Sequence, residues 1–448
     1  MTWTQEQART LAQKILAMSK APACEVSLSL RTLGHTRFAA NDVTTAGMSE
    51  NLSITITSID QDRSGTIVAD TIDDAGLRSE ALLATASPNP EAVEPLGPQD
   101  YTAISAFDEV TADASPIVRS RGVKAALERA RGRGLDASGF FETGASWSAI
   151  ANSKGNFGFH RATEAGYSAT MRTDDGTGSG YAAIDAHRLA DVDATALAER
   201  AAVKAESSAK PRDLPPGTYP VILEPQAVAD LLSLMIFSMD GRSADEGRSY
   251  FSQPGGGTKI GEKLFADKVT LRSDPTDPRV PGSPWVGGGG GGGRFFGPGG
   301  GSAGVPTRKT TWIESGVVRN LTCDRYWAKK NGRDPLPFSG SLIMDGGSGT
   351  LDDLIAHTDR ALLVTRFWYI RAVNPREALF TGLTRDGVWL VEKGKIVHPV
   401  NNFRFNDGPL NLLKNLDAMT APVAVSSSEL LPAIRAHKFL FTSKSDAV

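Results

Sequence analysis

Residues 220–253, PVILEPQAVADLLSLMIFSMDGRSADEGRSYFSQ, constrain the fold more than any other stretch of the chain. A short apolar strand, Val221, Ile222 and Leu223, runs into a helix that Pro225 can open. The first helical position needs no amide donor, and proline already holds a near-helical φ. Val228, Leu231, Leu232, Met235 and Ile236 then fall at i, i+3, i+4, i+7 and i+8 and make one apolar face. The pattern breaks at Asp240-Gly241, and a charged loop follows with Arg242, Asp245, Glu246 and Arg248. This strand, helix and loop predict the centre of a domain.

With 448 residues the chain can hold two or three domains with full cores. Apolar content of 40% and charged content of 22% describe an ordinary soluble globular protein. A net charge of -3 gives no general attraction to nucleic acid or to an anionic membrane, which favour basic surfaces. Cys24 and Cys323 form neither a CxxC pair nor a disulfide framework, so a cytoplasmic location is expected. Cys24 lies in an alternating pattern and reads as a small core residue. The N-terminal amphipathic helix carries Glu6, Arg9 and Lys14 rather than the apolar core of a signal peptide. No apolar run reaches the roughly 18 residues of a membrane span.

In chain order, a helix over 4–19 precedes strands over 23–30 and 35–40 separated by a turn at Gly34. Residues 52–59 and 65–70 predict a hairpin, 73–86 a helix, and 87–115 a linker. A basic helix over 116–133 then leads to short strands at 136–143, 146–151 and 156–161 around Gly144 and Gly155. Strands at 166–172 and 180–185 and a helix over 193–208 complete this region, and 210–217 (KPRDLPPG) is a linker. Residues 274–284 are turn-like. The glycine-rich run 287–301 predicts a flexible coil and not a phosphate cradle, because no GK[ST] ends it and no helix pattern follows. Beyond it come a hairpin at 309–318, an apolar strand at 339–345, and a helix capped by Thr350 and Asp353. An aromatic-rich strand at 362–372, a strand at 378–384, and a hairpin at 388–399 turning at Lys393-Gly394 follow. A helix at 408–417 and strands at 423–427 and 436–442 close the chain. The fold class expected is α+β with two domains. One is an N-terminal α/β layered half, 1–212, readable as two units, 1–90 and 116–209; the other is a β-rich C-terminal half, 213–448, built around the central helix.

The strand, helix and charged loop at 220–253 resemble the C-terminal domain of the TldD/PmbA (TldE) family, two-subunit bacterial metalloproteases also described as gyrase modulators. Residues 324–328 (DRYWA) and 339–355 (SGSLIMDGGSGTLDDLI) carry the same resemblance, and segments near 36–47 and 65–73 share it with the N-terminal part. The glycine run departs from it. In the TldD subunit, the resemblance implies, the helix bears a His-Glu-x-x-x-His zinc motif. Here Ser233 stands at the first His, Leu234 at the Glu and Ser238 at the second His. Zinc needs imidazole, thiolate or carboxylate ligands, and leucine cannot act as the general base of hydrolysis. Residues five apart also lie about 140° apart on a regular helix of about 3.6 residues per turn. The third ligand implied by the resemblance is a cysteine near the C-terminus, and 421–429 (APVAVSSSE) has none.

These substitutions place the chain nearer PmbA/TldE than TldD, with Ser233, Leu234 and Ser238 as vestiges of a zinc site and no catalytic residue. The resemblance then implies a non-catalytic subunit, without metal or cofactor of its own, paired with a zinc-bearing TldD-like subunit that cuts unfolded peptides. The alternative is a homodimeric peptide- or partner-binding protein without protease activity, and a third reading is a hydrolase with a different site. The resemblance also implies peptide contact at Ser339, Gly340, Ser341, Leu342, Ile343, Met344 and Asp345, the strand that lies beside the family's active cleft. Strand addition, which uses backbone groups, would survive loss of the metal. No two of the six histidines, His35, His160, His187, His357, His398 and His437, make a recognisable ligand pair. Ser348 and Ser427 lack a nucleophile elbow. Asp352 and Asp353 are explained by the helix dipole. The aromatic stretch 367–370 reads as core or dimer interface.

Overall fold

The computed structural model describes residues 3–73, 86–287 and 302–445. Twelve of the residues expected to form the helix over 73–86, namely 74–85, lie outside the described residues, as do 288–301 of the glycine run.

The N-terminal half is one sheet with helices against it. Helix α1 (Gln5–Met18) starts at a Thr4/Gln7 capping box. Strands β1 (Ala23–Ala39), β2 (Asp42–Asp60), β3 (Arg63–Ala69) and β4 (Ser87–Pro88) follow. Then come α2 (Glu109–Ala112), α3 (Pro116–Arg133), β5 (Leu135–Asn152), β6 (Phe157–Thr173), β7 (Ser179–Ala186) and α4 (Ala194–Ser207). The seven strands order as β4-β3-β2-β1-β5-β6-β7. Strand β1 pairs with β5 from Glu25↔Asn152 to Phe38↔Gly139, so the segments 1–90 and 116–209 share one sheet.

Two glycines expected to turn the chain do the opposite. Gly34 lies inside β1, where a Cβ would strike the Arg119 guanidinium. Arg119 is buried and donates from Nη1 to Thr143 Oγ1 at 2.6 Å. Gly144 lies inside β5, where a Cβ would meet the Thr32 carbonyl oxygen of the neighbouring strand. Both positions serve close approach, a use of strand glycine that sequence periodicity does not distinguish from a break. The separate strands expected at 156–161 and 166–172 are likewise one strand, β6.

The C-terminal half begins with β8 (Gly217–Leu223), α5 (Pro225–Ser238) and α6 (Gly241–Asp245). Strands β9 (Leu271–Ser273), β10 (Thr310–Glu314) and β11 (Val317–Val318), helix α7 (Arg325–Lys330), β12 (Leu342–Met344) and α8 (Leu351–Ala356) come next. The last part holds β13 (Arg360–Asn374), β14 (Leu379–Glu392), β15 (Lys395–Pro399), β16 (Phe403–Asp407), α9 (Pro409–Lys414), β17 (Leu416–Met419), β18 (Val423–Ser426), β19 (Glu429–Leu431) and β20 (Ile434–Lys444). Six short strands form a sheet ordered β11-β10-β9-β12-β19-β18. The second sheet runs β13-β8-β20-β16-β14, and β13 also pairs with β14, which closes it into a barrel. Phe403 and Phe405, two apart on β16, and Phe439 and Phe441, two apart on β20, turn the same way and are fully buried. With Phe367 they fill the barrel as a cluster of aromatic rings.

The expected apolar face of α5 is the core of this half: Val228, Leu231, Leu232 and Met235 are fully buried and Ile236 nearly so. The Thr350 hydroxyl accepts from the Asp353 amide while the Asp353 carboxylate accepts from the Thr350 amide, the expected cap of α8. The helix expected over 408–417 stops at Lys414, because Leu416–Met419 is drawn off to pair with β20.

Polar contacts join the halves. Lys204 of α4 reaches Glu224, just before α5, at 2.7 Å. Arg325 pairs with Glu25 of β1 at 3.5 Å, both largely buried. Ser179 of β7 donates to Asp386 of β14 at 2.6 Å.

Candidate functional site

Helix α5 carries the positions that a metallopeptidase of the resembled family would use, and its surroundings define the candidate site. Most of its circumference is apolar and packed. The remaining strip, Gln226, Asp230, Ser233 and Phe237, recurs at i, i+4, i+7 and i+11 and is half-buried or exposed. The helix is α-helical throughout, with no wide turn to bring residues 233 and 238 together.

None of the three motif positions is shaped to hold a divalent cation. The Ser233 hydroxyl points back to the Asp230 carbonyl at 3.4 Å, and the Ser238 hydroxyl to the Leu234 carbonyl at 3.4 Å. This backbone bonding is the ordinary behaviour of helix serines. Leu234 is buried among the apolar side chains. Among the described residues no three His, Cys, Asp or Glu side chains are grouped as metal ligands. The residues present therefore do not fit a family zinc ion in this chain.

What lies beside the helix is a set of charged groups that sequence reasoning missed. The Asp230 carboxylate accepts from the Phe367 amide at 2.8 Å and from Gln226 Nε2 at 3.1 Å. It caps a backbone donor where β13 passes beyond its pairing with β8, which ends at Val364↔Leu223. Burial pushes the Asp230 carboxyl up to about 6, against the Phe367 amide and the Arg366 guanidinium, which favour its charge. Glu429 at the start of β19 accepts from Ser426 at 2.9 Å, and burial raises its carboxyl too, with Asp185 adding repulsion. Arg366 stacks over the Tyr181 ring at 4.1 Å and faces Asp386 at 3.5 Å. One signal was legible: Asp230 is the sole charged residue between Pro225 and Ser238.

The Asp230 shift has a worked consequence for stability. Its folded value lies above the ordinary 3.8, so the fold holds the proton more tightly than the unfolded chain. That preference stabilises the fold below about pH 4 and is lost as pH rises through about 6. Asp230→Asn keeps an acceptor for the Phe367 amide and removes the buried charge. Urea unfolding is expected to find it about 1–3 kcal/mol more stable than the parent at pH 8, with the difference vanishing near pH 4.

The segment expected to contact peptide is an interior strand. Residues 342–344 form β12, paired antiparallel with β9 on one side and parallel with β19 on the other. Leu342, Ile343 and Met344 are buried, as are Ser339 and Ser341. The Ser341 hydroxyl accepts from the Asp274 amide at 3.0 Å and its carbonyl from Ser273 Oγ at 2.5 Å. Gly340 and Asp345 remain exposed, the latter beside Arg272 at 3.1 Å. As folded, β12 has both backbone edges occupied, so a peptide strand adding to this sheet would meet β11 or β18 at its edges.

His398 faces the Pro399 carbonyl at 2.9 Å, and His187 places its two ring nitrogens against the Thr163 and Pro281 carbonyls at 2.8 and 2.9 Å. The aromatic stretch divides: Phe367 is core, whereas Trp368 and Tyr369 are 42% and 63% exposed. No helix among the described residues is long and apolar enough to cross a membrane.

Comparison with known proteins agrees with this architecture. Residues 216–443, just over half of the chain, match the PmbA/TldA metallopeptidase C-terminal domain, and residues 104–209 match the PmbA/TldA metallopeptidase central domain. No curated protein matches the chain. Among solved structures, TldE from Thermococcus kodakarensis superposes with a TM-score of 0.82 at 19% identity, covering 97% of this chain and 99% of that one. A protein from Bacteroides thetaiotaomicron, described as a candidate modulator of DNA gyrase, gives 0.81 at 21% identity, covering 98% and 99%. A similarly described protein from Thermotoga maritima gives 0.81 at 18% identity, covering 97% and 100%. At such identities the superpositions speak for the fold, and the domain matches carry the assignment: the chain belongs to the PmbA/TldA metallopeptidase family.

Proposed function

We propose that this chain is the metal-free, non-catalytic subunit of a two-subunit metallopeptidase, a TldE/PmbA-like partner to a zinc-bearing TldD-like subunit that cleaves unfolded peptides. The single observation behind this reading is the chemistry of α5. Ser233 and Ser238 turn their hydroxyls onto their own helix, and Leu234, where a general base would stand, is buried in the core. A neutral hydroxyl does not replace imidazole on zinc, and an isobutyl group cannot activate water. The cytoplasm is the expected setting, because two unpaired cysteines need no oxidising compartment.

Co-expression with a family member bearing His-Glu-x-x-x-His tests the pairing. The two chains should co-purify as a heteromer that digests an unfolded peptide and stops when a chelator is added. A chain that instead purifies as a homodimer, and ignores every such sibling, supports a stand-alone peptide-binding protein and ends the subunit reading.

A further inference from the structure

A cavity of about 380 Å³ lies between residues 101–107 and strand β6, on the sheet of the N-terminal half. Its volume falls within the range of ligand pockets, about 300–1,000 Å³. The segment over it is tied down at both ends. At one, the Gln99 amide donates to Asn156 Oδ1 at 3.1 Å, and Asn156 Nδ2 donates to the Tyr101 hydroxyl at 2.8 Å. At the other, the Thr163 amide donates to the Ala106 carbonyl at 2.9 Å, and the Asp108 amide to Thr163 Oγ1 at 3.1 Å. Between these ties, residues 102–105 make no backbone hydrogen bond.

The opposite wall is also open. Strand β7 covers β6 only from Ala165 to Arg172, so among the described residues no strand pairs with the outer edge of residues 157–161. Thr163 turns its amide outward to Ala106, and by the two-residue repeat of a strand Phe159 and Arg161 turn theirs to the same side. The unpaired edge of β6 and a run without backbone hydrogen bonds thus line one gap, and a free strand edge is what strand addition uses. Side chains alternate across such an edge. Phe159 packs on the α1 side of the sheet, while Gly158 and His160 lie on the other, where Trp285 sits edge-on to the His160 ring at 6.3 Å. No carboxylate among the described residues lines the gap. Among the described residues that line it the one cation is Arg161, held by Glu109 at 3.1 Å and by the Phe107 ring at 4.1 Å. Burial holds His160 down at about 4, so that ring is neutral near pH 7.

We infer that this gap is a peptide-binding slot, taking an extended segment that hydrogen-bonds along the free edge of β6. An aromatic or large aliphatic side chain of that segment packs on Phe159 or His160. The inference rests on the function proposed above only in expecting an unfolded peptide as ligand. It places that peptide on the N-terminal sheet instead of beside β12.

The test uses the full chain alone and a short dye-labelled peptide that alternates serine with valine and carries one phenylalanine. Fluorescence anisotropy should show saturable binding. Methylating alternate amide nitrogens of the peptide, which removes donors and leaves side chains, should weaken it at least about tenfold, as should Ala103→Trp. Ala103 is exposed on the rim, so thermal melting should leave that variant as stable as the parent. Hydrogen exchange should slow at 102–105 and at 159 and 161 when peptide is added. Absence of saturable binding, equal binding of the methylated peptide, or binding indifferent to Ala103→Trp overturns the inference. So does an Ala103→Trp variant that turns a dimer into a monomer while still binding peptide, which assigns the gap to a second copy. Slot failure with retained co-purification of a zinc-bearing subunit leaves the proposed function standing; the reverse outcome removes that function and keeps the slot.

Discussion

Lys204→Met is expected to destabilise the protein by about 3–5 kcal/mol. Lys204 and Glu224 are 2.7 Å apart with side chains 13% and 11% exposed, and among the described residues Thr365 Oγ1 is the only other donor on the Glu224 carboxylate, at 3.3 Å. Methionine fills the lysine stem and leaves the Glu224 charge buried without its counterion. The cost of that orphaned charge, more than the worth of the pair, sets the size of the effect. Adding Glu224→Leu to Lys204→Met should recover most of the loss, since removing both charges together leaves nothing unpaired. Urea denaturation of the two single variants and the double variant measures the coupling. A Lys204→Met loss below about 1 kcal/mol would place the pair in the class of weak surface ion pairs.

Phe439→Ala is expected to cost a further independent 3–5 kcal/mol, roughly the range for deleting a buried phenylalanine. Phe439 is fully buried, with ring centroids of Phe441, Phe367 and Phe405 at 5.3, 5.4 and 5.5 Å. Each neighbour comes from a different strand except Phe441, so collapse onto the void would require the barrel wall to move. Phe441→Leu, which removes only part of the side-chain volume, should cost less, about 1.5 kcal/mol. The comparison separates cavity formation from simple loss of apolar area, and thermal melting at one pH suffices to read it.

What the sequence made legible were features written locally. The apolar stripe of α5, the Thr350–Asp353 cap and the Lys393-Gly394 turn are each set within a few residues, and each lies where expected. Long-range contacts were hidden. Gly34 and Gly144 look like turn residues until Arg119 and the Thr32 carbonyl are seen to need their space. Strands β17 and β19 are too short to carry a period, and exist because β20 and β12 stand ready to pair with them. At the site, the serine, leucine and serine at the three motif positions stand in the sequence itself. The Asp230–Phe367 contact spans 137 residues of sequence, and only the isolated charge in an apolar helix hinted at it. The peptide-contact expectation at 339–345 was placed by resemblance, and the neighbours β9 and β19 that occupy both edges of β12 leave no trace in the local sequence.

Metal analysis of the purified chain bears most directly on whether α5 can grip a cation. After exposure to zinc and dialysis, the isolated chain should retain no stoichiometric metal and leave an unfolded peptide intact, while a complex with a His-Glu-x-x-x-His subunit should hold zinc in that subunit alone. One tightly held zinc ion per isolated chain, together with peptide hydrolysis that a chelator abolishes, would contradict it.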